Sequence, residues 1–292
     1  MSALTHAELQ ELGLLYRQAA SDLATVREDR SSQMLAQYIN QLLARAHNLI
    51  YMGRKAGSTQ GLVHFYTETY PRIFREHLAH TLVAFIVFAA GALAAFLVSL
   101  RDPSFPRYLL SGPMVDTIER QEMWTHSIVT MKPLASSAIM TNNLGVAFVT
   151  FAMGITAGLG TLWMMLLNGV LLGVIGAACW QAGMSVKLWS FVAPHGTLEL
   201  PAIFIAGGAG LRVARAWLFP GLLPRRESLA RGGGAAVRLL LGTIPMLVVA
   251  GIIEGFLSPA DFPSSVKFLF GGAMFALLIA YLGMKPKPAA AR

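Results

Sequence analysis

The chain has 292 residues, of which 55% are hydrophobic and only 13% are charged. Because soluble domains carry about 25% charged residues, this composition excludes an ordinary soluble domain and predicts a protein that lies largely in lipid. The formal net charge is +8, but the basic residues flank apolar runs, which fits the positive-inside rule and argues against nucleic acid as a partner.

Residues 1–80 contain no apolar run long enough to cross a bilayer. Apolar residues recur at spacings of three and four over 12–23 and again over 35–50, which predicts two amphipathic helices. A third segment, 62–77, mixes aromatic residues with arginines as headgroup-layer segments do, and we expect Pro71 to break or kink it. Residues 1–80 are therefore expected to form a cytoplasmic helical domain that either docks a partner or orients the first span.

Six apolar segments follow within residues 81–284, at about 81–99, 143–158, 161–180, 197–211, 239–257 and 266–284. The second and third lie in one uncharged stretch, 143–180. As a single helix this stretch would be about 57 Å long, so it must fold back, and Gly158–Thr161 is the best breaker. The polar insertion 100–138 is expected to lie outside, with an interfacial helix at 114–131, and the basic residues 285–292 to form a cytoplasmic tail.

The distribution of basic residues predicts the orientation. With six spans, 17 lysines and arginines lie on the side of the two termini and 6 on the other. The positive-inside rule then places both termini in the cytoplasm. The predicted fold class is all-α: a multi-pass protein of the bacterial inner membrane, with about six transmembrane helices and an N-terminal helical domain.

This topology places five polar residues at one depth near the outer face. They are Asn142 and Asn143 at the start of the second span, His195 and Glu199 at the start of the fourth, and Glu254 near the end of the fifth. His195 and Glu199 could pair to stabilise a helix start, or Glu199 and Glu254 could line a proton or ion path. One histidine with one or two carboxylates is an incomplete ligand set, so we predict no metal and no cofactor.

Small residues at four-residue spacing predict close helix packing, which also permits a homodimer. The residues expected to pack helices are Gly154, Gly158, Gly160, Asn168, Gly169, Gly173 and Pro201. No nucleotide-binding loop, zinc-protease motif or serine-hydrolase elbow occurs, so we predict no catalytic residues and lean against an enzyme.

Taken together, the motifs resemble the stage II sporulation protein M family over about residues 140–212. The matching motifs are Asn142-Asn143, Gly154-Ile155-x-x-Gly158-x-Gly160-Thr161, Asn168-Gly169-x-x-x-Gly173, Pro194-His195-Gly196-x-x-Glu199-Leu200-Pro201 and Gly207-Gly208-Ala209-Gly210-Leu211. The resemblance implies a polytopic inner-membrane protein without established enzymatic activity. Its sporulation member is similar to a scaffold that holds peptidoglycan-degrading partners.

Two functional hypotheses follow from these observations. The first is a non-enzymatic scaffold that contacts lipid and docks membrane or cytoplasmic proteins through its parts outside the bilayer. The alternative is a transporter or permease-like unit with an outer-facing polar site around His195, Glu199 and Glu254. A membrane-embedded hydrolase or metal enzyme using His195 and Glu199 is a third, weaker hypothesis.

Overall fold

The structure is a computed structural model that describes residues 6–28, 32–51, 58–123 and 132–284. In these ranges the regular structure is helical, and no strand occurs. The α-helices are α1 (His6–Glu28), α2 (Gln33–Tyr51), α3 (Ser58–His64), α4 (Tyr70–Glu76), α5 (Leu78–Arg101), α6 (Pro106–Leu109), α7 (Gly112–Glu119), α8 (Lys132–Ala152), α9 (Leu159–Gln181), α10 (Ser185–Leu218), α11 (Arg225–Phe256) and α12 (Ser264–Gly283). The predicted tail 285–292 lies outside the described residues.

Six of these helices are long and apolar enough to cross a membrane: α5, α8, α9, α10, α11 and α12. The all-α, six-span prediction is confirmed. Several helices extend further than predicted, since α10 begins at Ser185 rather than near 197 and α11 at Arg225 rather than near 239. An apolar run marks only the part of a helix that lies in hydrocarbon, and the backbone hydrogen bonds continue beyond it.

Successive membrane-length helices run in opposite directions, so the connections between them lie alternately at the two ends of the membrane domain. We call the end where α5 begins the near end; the 156–158 turn, the 219–224 loop and the end of α12 lie there. The far end holds the 182–184 turn and the 257–263 loop.

At the far end, the Gln181 amide donates to the Ser99 carbonyl at 2.8 Å. Ser104 donates two hydrogen bonds to Asp102 after α5, and these bonds hold the pKa of that carboxyl below its usual value.

Several of the predicted glycines bring helix backbones into contact. A Cβ at Gly169 or Gly173 would lie 2.1 Å from the carbonyl oxygen of Phe88 or Ala92 on α5, and a Cβ at Gly154 would lie 2.3 Å from that of Gly210. Only a residue without a side chain fits at such distances, as small-residue packing in lipid requires.

The other residues expected to pack helices have different roles. Gly158 has a φ of +82° in the turn before α9, which suits glycine, and a Cβ at Gly160 would meet the side chains of Met153 and Thr156. The Asn168 amide donates to the Met164 carbonyl of its own helix rather than to a neighbour. Pro201 lies inside α10.

Residues 65–77 pack against α11 and α12, although the sequence places them in the N-terminal domain. The Tyr70 side chain is fully buried, and its ring occupies the space that a Cβ at Gly242 would need. The Tyr281 hydroxyl donates to the Tyr66 carbonyl at 2.8 Å, and the Tyr66 hydroxyl donates to the Leu241 carbonyl at 3.2 Å. Pro71 is the second residue of α4, which directly follows a π-helical turn, Phe65–Thr69, so the regular α-helix is interrupted beside the proline.

The chain divides into two compact units, Met1–His64 and Phe65–Arg292. In the first unit α1 and α2 pair as a hairpin, and both predicted amphipathic helices are present. Within the second unit, the described part of the polar insertion packs against the far ends of α9 and α10 through Val115 and Ile118 of α7. The predicted interfacial helix 114–131 corresponds to α7 only as far as Glu119, and residues 124–131 lie outside the described ranges.

Candidate functional site

Three of the five predicted polar residues meet between α10 and α11. His195 and Glu199 are four residues apart on one face of α10, and Glu254 comes from the antiparallel α11. One ligand atom from each of the three residues lies within 4.8 Å of the others. We refer to these three residues as the His–Glu–Glu cluster.

The cluster lies inside helices rather than at helix starts. His195 and Glu199 are the eleventh and fifteenth residues of α10, and the helix continues through both Pro194 and Pro201. The helix-start interpretation of this pair is therefore wrong, since no terminal N–H groups are available there for Glu199 to cap. Because Pro201 has no N–H, the Thr197 carbonyl, two residues after His195, lacks its usual helical donor.

His195 is held by a residue that the sequence did not single out. Its Nδ1 atom lies 2.9 Å from the Ser258 hydroxyl oxygen, and Ser258 is fully buried in the loop between α11 and α12. The Lys267 ammonium group donates to the Ser258 carbonyl at 2.7 Å, which ties this loop to α12. A serine in a turn gives no sequence signal for this role, because the contact depends on the loop folding back over α10.

The second imidazole nitrogen faces the carboxylates without a short contact. The His195 Nε2 atom is 3.9 Å from the Glu254 Oε1 atom, which is longer than a hydrogen bond. The Oε2 atoms of Glu199 and Glu254 are buried and have no hydrogen-bond partner. Buried carboxylate oxygens without a partner are costly and call for a proton or a cation.

The position of the cluster along the membrane normal follows from its distance to the near end of α10. His195 precedes Arg212 on α10 by 17 residues, which corresponds to about 25 Å of helix. The hydrocarbon core is about 30 Å thick, so the cluster lies toward the far-end surface of the membrane.

Asn142 and Asn143 lie in the interior of α8, not at its start. Asn143 and Glu199 each lie eleven residues before the Gly154–Gly210 contact between two parallel helices, so their depths are similar. The Asn142 amide donates to the Asn143 side-chain oxygen at 3.3 Å, and neither asparagine bonds to the His–Glu–Glu cluster in the described part of the chain. Next to Glu254, α8 approaches α11 through Ser136, whose hydroxyl donates to the Gly251 carbonyl at 2.8 Å.

In the described ranges, six membrane-length helices and a cluster of one buried histidine and two half-buried glutamates define a polytopic membrane protein with an intramembrane polar site. Residues 84–259 match the family model described as stage II sporulation protein M. This match covers more than half of the chain, so the chain belongs to that family, and the resemblance drawn from the motifs is confirmed.

Residues 1–52 match a second model, a domain of unknown function designated DUF8413. The chain is also similar to an uncharacterized protein of Methanocaldococcus jannaschii, at 31% identity over 126 residues, which are 42% of this chain and 70% of that protein. No solved structure matches the chain.

Proposed function

We propose that the protein is a non-enzymatic scaffold of the bacterial inner membrane, with both termini cytoplasmic, that docks a helical partner protein on its α1–α2 hairpin. The observation that carries this proposal is an exposed apolar stripe on α2. Leu35, Tyr38 and Leu42 are 49%, 62% and 46% exposed. Their spacing places them along one side of the helix, as in a helix that packs into a partner's groove.

The hairpin buries little apolar surface within itself. Among the described side chains of α1 and α2, only Leu23 is buried. Two helices with so small a core gain little from packing on each other, because the stability of helices in proteins comes mainly from an apolar face that is covered. A partner that covers the α2 stripe would supply the missing burial.

The composition of α2 favours a protein partner over a lipid surface. Helices that lie on membranes are rich in lysine and arginine on the polar face. Arg45 is the one lysine or arginine in α2, and the side opposite the stripe carries uncharged residues such as Gln33, Gln37 and Ala44.

Site-specific photocrosslinking in the native host tests this proposal. A photoreactive residue at Leu35 or Tyr38 is expected to trap a discrete protein that mass spectrometry identifies in replicate experiments, whereas the same residue at Gln37 on the polar face is not. Equal products at all three positions, or none, would contradict docking on the stripe. A crosslinked product of twice the chain mass would show that the stripe contacts a second copy of the chain rather than a different protein.

A second candidate function is a transporter or permease-like unit, and the His–Glu–Glu cluster favours it. The buried Glu199 and Glu254 oxygens without hydrogen-bond partners resemble the intramembrane carboxylates that mark proton and ion paths. Purified protein in liposomes is then expected to carry a proton or cation flux that Glu199→Gln reduces. Absence of flux under both pH and cation gradients would remove this candidate.

A further inference from the structure

We propose that His195, Glu199 and Glu254 bind one divalent transition-metal ion, with Zn²⁺ the best fit, and that this ion clamps α10 to α11. The inference is independent of the scaffold proposal. It reverses the expectation of no metal, which rested on an incomplete ligand set, because the fold brings a carboxylate from a second helix to the His195–Glu199 pair.

The three ligand atoms are slightly further apart than the ligand atoms of an occupied metal site. One ligand atom from each residue lies within 4.8 Å of the others. In a tetrahedral Zn²⁺ site with bonds of about 2.0 Å, ligand atoms are about 3.3 Å apart. Rotation of the two glutamate side chains, whose free oxygens have no competing hydrogen bond, is enough to close this difference.

The charge of a divalent ion matches the site. Two ionised glutamates in a low-dielectric region carry a charge of −2, and isolated charges there are strongly disfavoured. In the described ranges no lysine or arginine forms an ion pair with Glu199 or Glu254; the recorded partner of Glu254 is His195. One divalent cation would neutralise both carboxylates and satisfy the two oxygens that lack partners.

The ligand types favour a transition metal over Ca²⁺ or Mg²⁺. Those two ions take mostly oxygen ligands and higher coordination numbers, whereas an imidazole nitrogen with carboxylate oxygens suits Zn²⁺ and its neighbours. Ser258 holds His195 through Nδ1, which leaves Nε2 as the nitrogen that faces Glu254. Metal-binding histidines are commonly oriented by such a hydrogen bond on the nitrogen that does not bind the ion.

Metal analysis of the full-length, tag-free protein in detergent tests the proposal. After chelator treatment and dialysis against Zn²⁺, the wild-type protein is expected to hold about one Zn²⁺ per chain that resists buffer exchange. The isosteric variants Glu199→Gln and Glu254→Gln are expected to hold close to none. Asp261→Asn, in the exposed part of the same α11–α12 loop, is the matched control and is expected to bind as the wild type does.

Two further measurements keep the test decisive if a glutamine variant does not fold. Co²⁺ in place of Zn²⁺ is expected to give the absorption bands of a tetrahedral nitrogen–oxygen site in the wild-type protein. Ser258→Ala is expected to weaken Zn²⁺ affinity about 10- to 100-fold, the usual effect of losing a group that orients a ligand. No retained ion and no Co²⁺ bands, or equal binding by wild type and both glutamine variants, would overturn the proposal.

Discussion

The effect of Glu199 on stability depends on whether a cation occupies the His–Glu–Glu cluster. Its Oε2 atom is buried without a hydrogen-bond partner, a situation that typically costs about 1–3 kcal/mol. The pair spacing of His195 and Glu199 could be predicted from the sequence. Ser258 could not, because nothing in its own segment indicates that the loop folds over His195.

Replacing Glu199 by methionine is expected to change stability in opposite directions with and without metal. In chelator-treated protein, Glu199→Met removes the unsatisfied carboxylate, so its melting temperature in detergent should equal or exceed that of the wild type. With Zn²⁺ added, the wild type should gain stability and the variant should not. Glu122→Met, on the exposed surface, serves as the control. A lower melting temperature for Glu199→Met without metal would show that this carboxylate stabilises the helices through contacts of its own.

The contact between α5 and α9 depends on glycines whose four-residue spacing is visible in the sequence. Which helix they contact is not visible, because spacing marks a face but does not name its partner. The extent of α10 was also hidden, since Pro194 and Pro201 are typical of helix ends in sequences but here lie inside a helix of 34 residues. A proline removes one backbone hydrogen bond, which packing on both sides of the helix can offset.

Adding one methyl group at the α5–α9 contact is expected to separate these helices. In Gly173→Ala the new Cβ would lie 2.1 Å from the Ala92 carbonyl oxygen, whereas in Gly176→Ala its nearest neighbour would be a Trp189 ring atom at 3.7 Å. We expect Gly173→Ala to cost about 1–3 kcal/mol, as overpacked cores do, and Gly176→Ala to stay close to wild type. Thermal unfolding in detergent checks this, and equal melting temperatures would contradict the close approach.

The packing of residues 65–77 on α11 and α12 can be tested in the same way. The ring of Tyr70 leaves no room for a Cβ at Gly242, while nothing lies within 4 Å of one at Gly272 on α12. Gly242→Ala is therefore expected to lower the melting temperature and to speed proteolysis between residues 58 and 78. Gly272→Ala should do neither. Unchanged proteolysis in Gly242→Ala would mean that this segment is held by other contacts.

At the scale of the whole molecule, the sequence predicts depth in the membrane but not rotation about each helix axis. Six alternating spans set His195, Glu199 and Glu254 at one level, and the structure brings these three side chains together. Asn143 has a similar depth, yet it lies on α8, and the structure shows it bonded to Asn142. Which groups at a given depth meet is decided by helix neighbours and helix rotation, and both depend on packing across the whole domain.

Residue-by-residue topology mapping tests the six-span arrangement most directly. Single cysteines are introduced into a Cys179→Ala background at five exposed positions that lie in or directly beside successive loops: Ser104, Thr156, Lys187, Leu222 and Asp261. A membrane-impermeant maleimide applied to intact cells is expected to modify the cysteines at 104, 187 and 261, and to reach those at 156 and 222 only after permeabilisation. Modification of any two successive positions from the same side would contradict the four successive crossings, α8 to α11, that place His195, Glu199 and Glu254 in one leaflet.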